Sequence, residues 1–129
     1  GLTLGLQGLQ FVATSTTAQS QSLAYPHSLH SISTNADNQD VVSMGTDAAL
    51  IASRVVDNAF YLLTLELVTL AQAVDVAQAQ GHLSKEGQWL VQKIRSHTAT
   101  LKEDRSLTNE LESLCVELRN DTDFTLQDL

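Results

Sequence analysis

The stretch Ala59-Phe60-Tyr61-Leu62-Leu63-Thr64-Leu65-Glu66-Leu67-Val68-Thr69-Leu70-Ala71-Gln72-Ala73-Val74 decides the fold. Leu62, Leu63, Leu67, Leu70 and Val74 recur at helical spacing, and the pattern continues upstream through Leu50, Ile51 and Val55 and downstream to Ala77. Val56, Phe60, Leu65, Val68 and Ala73 widen the stripe almost all the way round. A helix that is apolar on most faces needs neighbours on most sides. A chain of 129 residues can hardly supply them, which implies further polypeptide or further subunits. The patterning runs from about residue 44 to about Gln80, a helix about 50 Å long. Ser43 or Thr46 is the expected cap, with Asp47 favourably placed in the first turn, and Gly81 the expected stop. Glu66 and Gln72 interrupt the apolar run, whereas a membrane span needs about 20 nearly uninterrupted apolar residues. No membrane association is expected.

Working outward, the rest of the chain also reads as helix. Hydrophobic residues make up 43% of it, mostly Leu, Val and Ala, with few aromatics and one proline, which favours helices over sheets. Residues 1–36 contain no Asp, Glu, Lys or Arg. Leu2, Leu6, Leu9, Val12 and Ala13 nevertheless fall at helical spacing, predicting a helix over about 2–24 that protein covers on several sides. The alternative is that the Ser-, Thr- and Gln-rich piece Thr14 to Ser22 is a flexible linker. Tyr25-Pro26 ends the element, because the residue before proline is pushed out of helical angles. Residues 25–42 have no helical period and read as an ordered, irregular loop. Ser84 is the expected cap of a helix over about 85–97, with Trp89, Leu90 and Ile94 on its buried side. Leu111, Leu114, Cys115 and Leu118 mark a further helix over about 108–119. The fold class is all-α, a long-helix bundle in one domain.

Charge and cysteine content remove several functions. The net charge is −8, and all 7 basic residues lie beyond residue 53, so there is no basic stripe for nucleic acid or an anionic lipid surface. Cys115 is the single cysteine, which excludes a disulfide framework or thiolate zinc cluster and fits a reducing, cytoplasmic setting. His27 and His30 share the loop but lack a third ligand, so no metal site is expected. Arg54 and Asp57 read as a helix-surface pair, and Glu66 as an acid that pairs across a helix or subunit boundary.

The loop carries the functional signal. Asn35-Ala36-Asp37-Asn38-Gln39-Asp40-Val41-Val42-Ser43-Met44-Gly45-Thr46 resembles the active-site loop and following helix start of the ammonia-lyases that act on aromatic amino acids and histidine. Gly5-Leu6 through Ala24-Tyr25-Pro26 is similar to the helix that precedes that loop, and the long helix follows at the right place. Leu101-Lys102-Glu103-Asp104-Arg105-Ser106-Leu107 resembles the family's late Glu-Asp-Arg-x-Leu segment. The resemblance therefore covers most of the chain, in the correct order, and implies the C-terminal part of an ammonia-lyase-like fold.

What it implies about chemistry is divided. The family's electrophile is a methylidene-imidazolone made by cyclisation of an Ala-Ser-Gly triplet, and a tyrosine serves as base. Ala52-Ser53 is followed here by Arg54, and Tyr25 and Tyr61 stand in the wrong contexts for the base. The group is expected in a missing N-terminal part, with no cofactor in this chain, which alone should be inactive. By resemblance, Gln39 and Asn38 are catalytic residues and Asn35 is substrate-binding. Gln39 stands where histidine ammonia-lyases have glutamate, and the Asn38-Gln39 pair is similar to that of tyrosine and phenylalanine enzymes. An amide offers a donor and an acceptor without charge, whereas a carboxylate would pair with a cation. The residues alone would otherwise read as turn and capping chemistry. The expected whole is a homotetrameric lyase acting on tyrosine, phenylalanine or histidine, or an aminomutase of the same family. The rival reading is a stand-alone helical oligomerisation module that keeps the scaffold without catalysis.

Overall fold

The computed structural model describes residues 4–38 and 42–120. These residues are all helical or irregular, with no strand among them. Four α-helices, α1 (Gln7–Leu23), α2 (Gly45–Val76), α3 (Lys85–His97) and α4 (Thr108–Asn120), are joined by loops that include short 3-10 turns at His27–His30 and Gln80–His82.

α2 is the spine. Leu65, Leu67, Val68 and Ala71 on its inward side are buried with Ile94 of α3 and Leu111, Leu114 and Leu118 of α4. Leu9 and Ala13 of α1 pack against the same cluster, as do Phe60, Tyr61, Leu90 and Leu107. Thr64 and Thr98 are the polar residues inside, and each hydroxyl donates to a carbonyl one turn back, Phe60 O at 2.8 Å and Ile94 O at 3.1 Å. Buried polar groups are thereby satisfied, as folded interiors require.

Other apolar positions of α2 are left uncovered among the described residues. Leu50, Val56, Leu63, Leu70 and Val76 are all exposed. By length and composition alone α2 could cross a membrane, since a window of it reaches a mean hydropathy of 1.5. Its inward side is instead taken by α1, α3 and α4.

The helix ends differ from the sequence expectation, and left-handed residues mark where they fall. α1 begins at Gln7 rather than near residue 2, because Gly5 adopts a left-handed φ of +58° and turns the chain. It then continues unbroken to Leu23, so Thr14 to Ser22 is helix and not linker. Its Thr and Ser hydroxyls fold back on carbonyls one turn earlier, as with Thr14 onto Gln10 O at 2.9 Å and Thr17 onto Ala13 O at 2.8 Å. Neither Ser43 nor Thr46 caps α2; its N-cap is Met44, left-handed at φ 57°, with no side-chain cap bond. Gly81 is not the stop either. Gln78 takes the left-handed position at φ 53°, its N–H donates to Asp75 O at 3.1 Å, and Ala79 N–H donates to Val74 O at 3.0 Å. That pair of bonds is a Schellman closure, which uses a left-handed residue just beyond the helix.

α3 is capped by Ser84, whose Oγ accepts the Gly87 N–H at 3.1 Å. The backbone donors at this helix start, together with Ser84, hold the Glu86 carboxyl below its ordinary range. Trp89 is not on the buried side: it is exposed, with Lys93 Nζ 5.3 Å from its ring centre. Cys115 is half-buried on α4. Asp57 pairs with Arg119 of α4 instead of Arg54, and Glu66 is exposed at the rim of an apolar groove between α1 and α2.

Candidate functional site

α1 and α2 form an antiparallel hairpin. Leu9 and Ala13 face Leu62 and Leu65 around one groove, while Asn58 Nδ2 donates to Gln19 Oε1 at 3.1 Å and to Ser20 Oγ at 3.0 Å further along. The segment between Leu23 and Gly45 is therefore carried at one end of the hairpin. It opens with the 3-10 turn His27–His30, so it is not irregular throughout. The His30 ring lies 5.6 Å from Tyr25 and 5.7 Å from His27. The base of the loop is closed by Ser31 Oγ, which donates to Val42 O at 2.6 Å.

At its tip the backbone is strained. Asn35, Ala36 and Asp37 are all left-handed, with φ of 55°, 53° and 60°. Asn38 N–H donates back to Asn35 O at 3.0 Å, closing one left-handed turn. L-residues leave this region at a gain of about 1 kcal/mol each, somewhat less for Asn and Asp. Single left-handed residues are common in turns, but a run of them that includes an alanine persists only where the surroundings impose it. The sequence-predicted residues divide accordingly. Asn35 and Asn38 open and close this one turn, both exposed. Gln39, with Asp40, lies outside the described residues.

The sequence contains no Ala-Ser-Gly triplet, and Ala52, Ser53 and Arg54 are exposed residues of regular α2. Among the described residues there is no cluster of His, Cys, Asp or Glu suited to a metal ion. A groove of about 720 Å³ follows the outer face of α4, lined by His97, Asn109, Ser113 and Glu117 among others, and no described loop residue borders it.

At the other end of the hairpin the late Glu-Asp-Arg segment acts as a strap. Asp104 accepts the Leu4 N–H at 2.9 Å and the Gly5 N–H at 3.0 Å. Gln72 of α2 holds Leu101 from both sides, accepting its N–H at 2.9 Å and donating to its carbonyl at 3.0 Å. Arg105 pairs with Glu110 of α4 and donates to Ala99 O at 3.0 Å, and the ion pair raises its already high pKa. Asp75 accepts the Thr100 hydroxyl at 2.6 Å and Gln80 Nε2 at 2.8 Å, and Arg95 Nε lies 2.9 Å away. The Thr100 bond, with Gln80 and Arg95 acting in the same direction against partial burial, holds the Asp75 carboxyl below its ordinary value.

Comparison with known proteins assigns this arrangement. The family model described as "Aromatic amino acid lyase" matches residues 1–96. The chain is 39% identical over 119 residues to a tyrosine ammonia-lyase of Cupriavidus metallidurans, covering 92% of this chain and 22% of that protein. It is 31% identical over 126 residues to a histidine ammonia-lyase of Treponema denticola, covering 98% of this chain and 25% of that protein. The crystal structure of a tyrosine aminomutase from Streptomyces globisporus superimposes with a TM-score of 0.86 at 36% identity, over 92% of this chain and 22% of the other. The chain thus spans between a fifth and about a quarter of the length of these relatives. It belongs to the aromatic amino acid lyase family and corresponds to one helical portion of it.

Proposed function

We propose that this chain is the C-terminal part of an ammonia-lyase that eliminates ammonia from an aromatic amino acid to give an α,β-unsaturated acid, and that it contributes the Asn35–Gln39 loop to the active site. The observation that carries the reading is the strained turn Asn35-Ala36-Asp37, held at the hairpin end directly before Asn38. Strain of this kind collects at functional loops, where it fixes a geometry that relaxation would lose. The methylidene-imidazolone, supplied by the remainder of the polypeptide, would activate the substrate amine. The residues of this chain orient: the Asn38 and Gln39 amides donate and accept hydrogen bonds without adding charge, and Asn35 contacts the substrate. The positive end of α2 begins at Gly45, seven residues after Asn38 in sequence. The other subunits of a homotetramer would cover the exposed side of α2, in a cytoplasmic enzyme.

An aminomutase is the second reading, favoured by the 0.86 TM-score to the Streptomyces tyrosine aminomutase. The test is to assay the chain alone and joined to the polypeptide encoded upstream, with tyrosine, phenylalanine and histidine. Ammonia release together with the unsaturated acid by the joined protein only is the expected result. A β-amino acid product would select the aminomutase. An upstream sequence without an Ala-Ser-Gly triplet would leave the catalytically silent oligomerisation module.

A further inference from the structure

The positions that α2 leaves uncovered include a regular row. Val56, Leu63 and Leu70 stand seven residues apart, and Ala52, Ala59, Glu66 and Ala73 stand seven apart between them. All seven are exposed, and none belongs to the buried cluster that α2 shares with α3 and α4. Steps of four and three alternate from Ala52 to Ala73, which is the spacing of a coiled-coil seam about 32 Å long. Large apolar residues fill one register of this seam, and alanine takes three of the four positions of the other. A parallel pair of such helices would set Leu63 on Leu63 and Ala59 on Ala59, so that crowded and empty layers alternate. An antiparallel pair sets Leu70 on Ala59 and Val56 on Ala73, which fills these layers evenly, as close packing requires. The row is thus complementary to itself turned end for end, the condition for a two-fold contact between identical chains. The placement of charge agrees. Glu66 is the one ionisable group in the row, whereas pairs such as Arg119–Asp57 and Lys93–Glu117 lie on the α4 side. Two copies of net charge −8 approach most readily where neither carries much charge.

We infer that this row is a docking seam for α2 of a second copy of the chain, running antiparallel about a two-fold axis that passes between Leu63 and Glu66. The inference deepens the proposed assembly by naming the element each subunit meets, and it rests on that reading only for the existence of partner subunits. The experiment is disulfide cross-linking of the full chain, with Cys115→Ser as the background. Chains with Ala59→Cys mixed with chains carrying Leu70→Cys should join as 59–70 dimers at about ten times the yield of 59–59 or 70–70 dimers, because a disulfide needs Cβ atoms within about 4.5 Å. In the antiparallel pair, position 59 lies about 16 Å along the axis from its own counterpart. Val56→Cys mixed with Ala73→Cys repeats the test at another layer. All four positions are exposed, so these changes leave the core intact. Glu66→Gln should tighten the dimer about fivefold in analytical ultracentrifugation, since the two carboxylates otherwise face each other near the axis as like charges. An excess of 59–59 dimers, equal yields in every mixture, or a looser dimer in Glu66→Gln would overturn the inference. So would a monomer that forms no cross-link, which would assign the row to polypeptide encoded upstream. Failure of the lyase assay on the joined protein would instead remove the proposed function and leave the cross-links standing.

Discussion

At the scale of single residues the loop turn is the point of highest information. Ala36 gains nothing from φ 53°, because an alanine side chain can form no local hydrogen bond in return. Ala36→Gly should therefore raise stability by about 0.5–1 kcal/mol in urea unfolding, and an unchanged midpoint would show that the turn is not strained. Gln39 tests the chemistry. In the intact enzyme, Gln39→Glu places a carboxylate where the proposed site uses an amide, and kcat/KM for tyrosine or phenylalanine should drop about tenfold, equivalent to about 1.4 kcal/mol. An unaltered value would remove Gln39 from the site. These residues were legible only through resemblance to a family. Asn and Gln amides carry no charge pattern or ligand spacing, and a short Asn-rich segment before a helix reads first as a turn. The left-handed alanine was beyond sequence reasoning, since nothing intrinsic to alanine favours it.

At the scale of elements, what could be read followed whether the residue type itself carries the signal. The spine α2 was visible because its apolar spacing repeats over many turns, and the Ser84 cap because its partner is Gly87, three residues on. The ends at Met44 and Gln78 were not, because nothing intrinsic to Met or Gln marks a left-handed position in place of the expected Ser43, Thr46 and Gly81. The start of α1 adds a distant partner, since Asp104 far along the chain accepts the Leu4 and Gly5 N–H groups just before it. Trp89 was misplaced for a related reason: helical period gives a face, but not whether this chain provides the neighbour that covers it. Asp75 supplies an element-scale prediction. Its carboxyl is held below the ordinary 3.8, so the folded state takes up a proton less readily than the unfolded chain. Its stabilisation of the α2–α3 seam is therefore complete above that value and is lost as pH falls through the lowered one. Asp75→Asn should cost about 1 kcal/mol at neutral pH, a modest figure because water partly screens the site, and should flatten the fall of melting temperature below about pH 4. A parallel acid profile in the variant would show that Asp75 does not drive this loss.

At the scale of the whole molecule the exposed side of α2 dominates. A contiguous row that includes Leu63 and Leu70 is costly to leave in water, so light scattering on the isolated chain should give a multiple of 14.0 kDa. Leu63→Lys combined with Leu70→Lys should shift the population toward the monomer. A parent chain that is already monomeric at high concentration would contradict this. Ionic contacts are unevenly placed across the bundle. α4 is fastened by Arg119–Asp57, Lys93–Glu117 and Arg105–Glu110, whereas α1 offers no ionic group to its neighbours. Raising the salt from 0.1 M to 1 M shortens the reach of an exposed charge from about 10 Å to about 3 Å and leaves burial of apolar surface intact. The α1–α2 hairpin that carries the loop should thus be indifferent to ionic strength, while α4 loses its rim pairs yet keeps Leu111, Leu114 and Leu118 in the core, so that a brine would trim the margin of the fold and leave its packing in place.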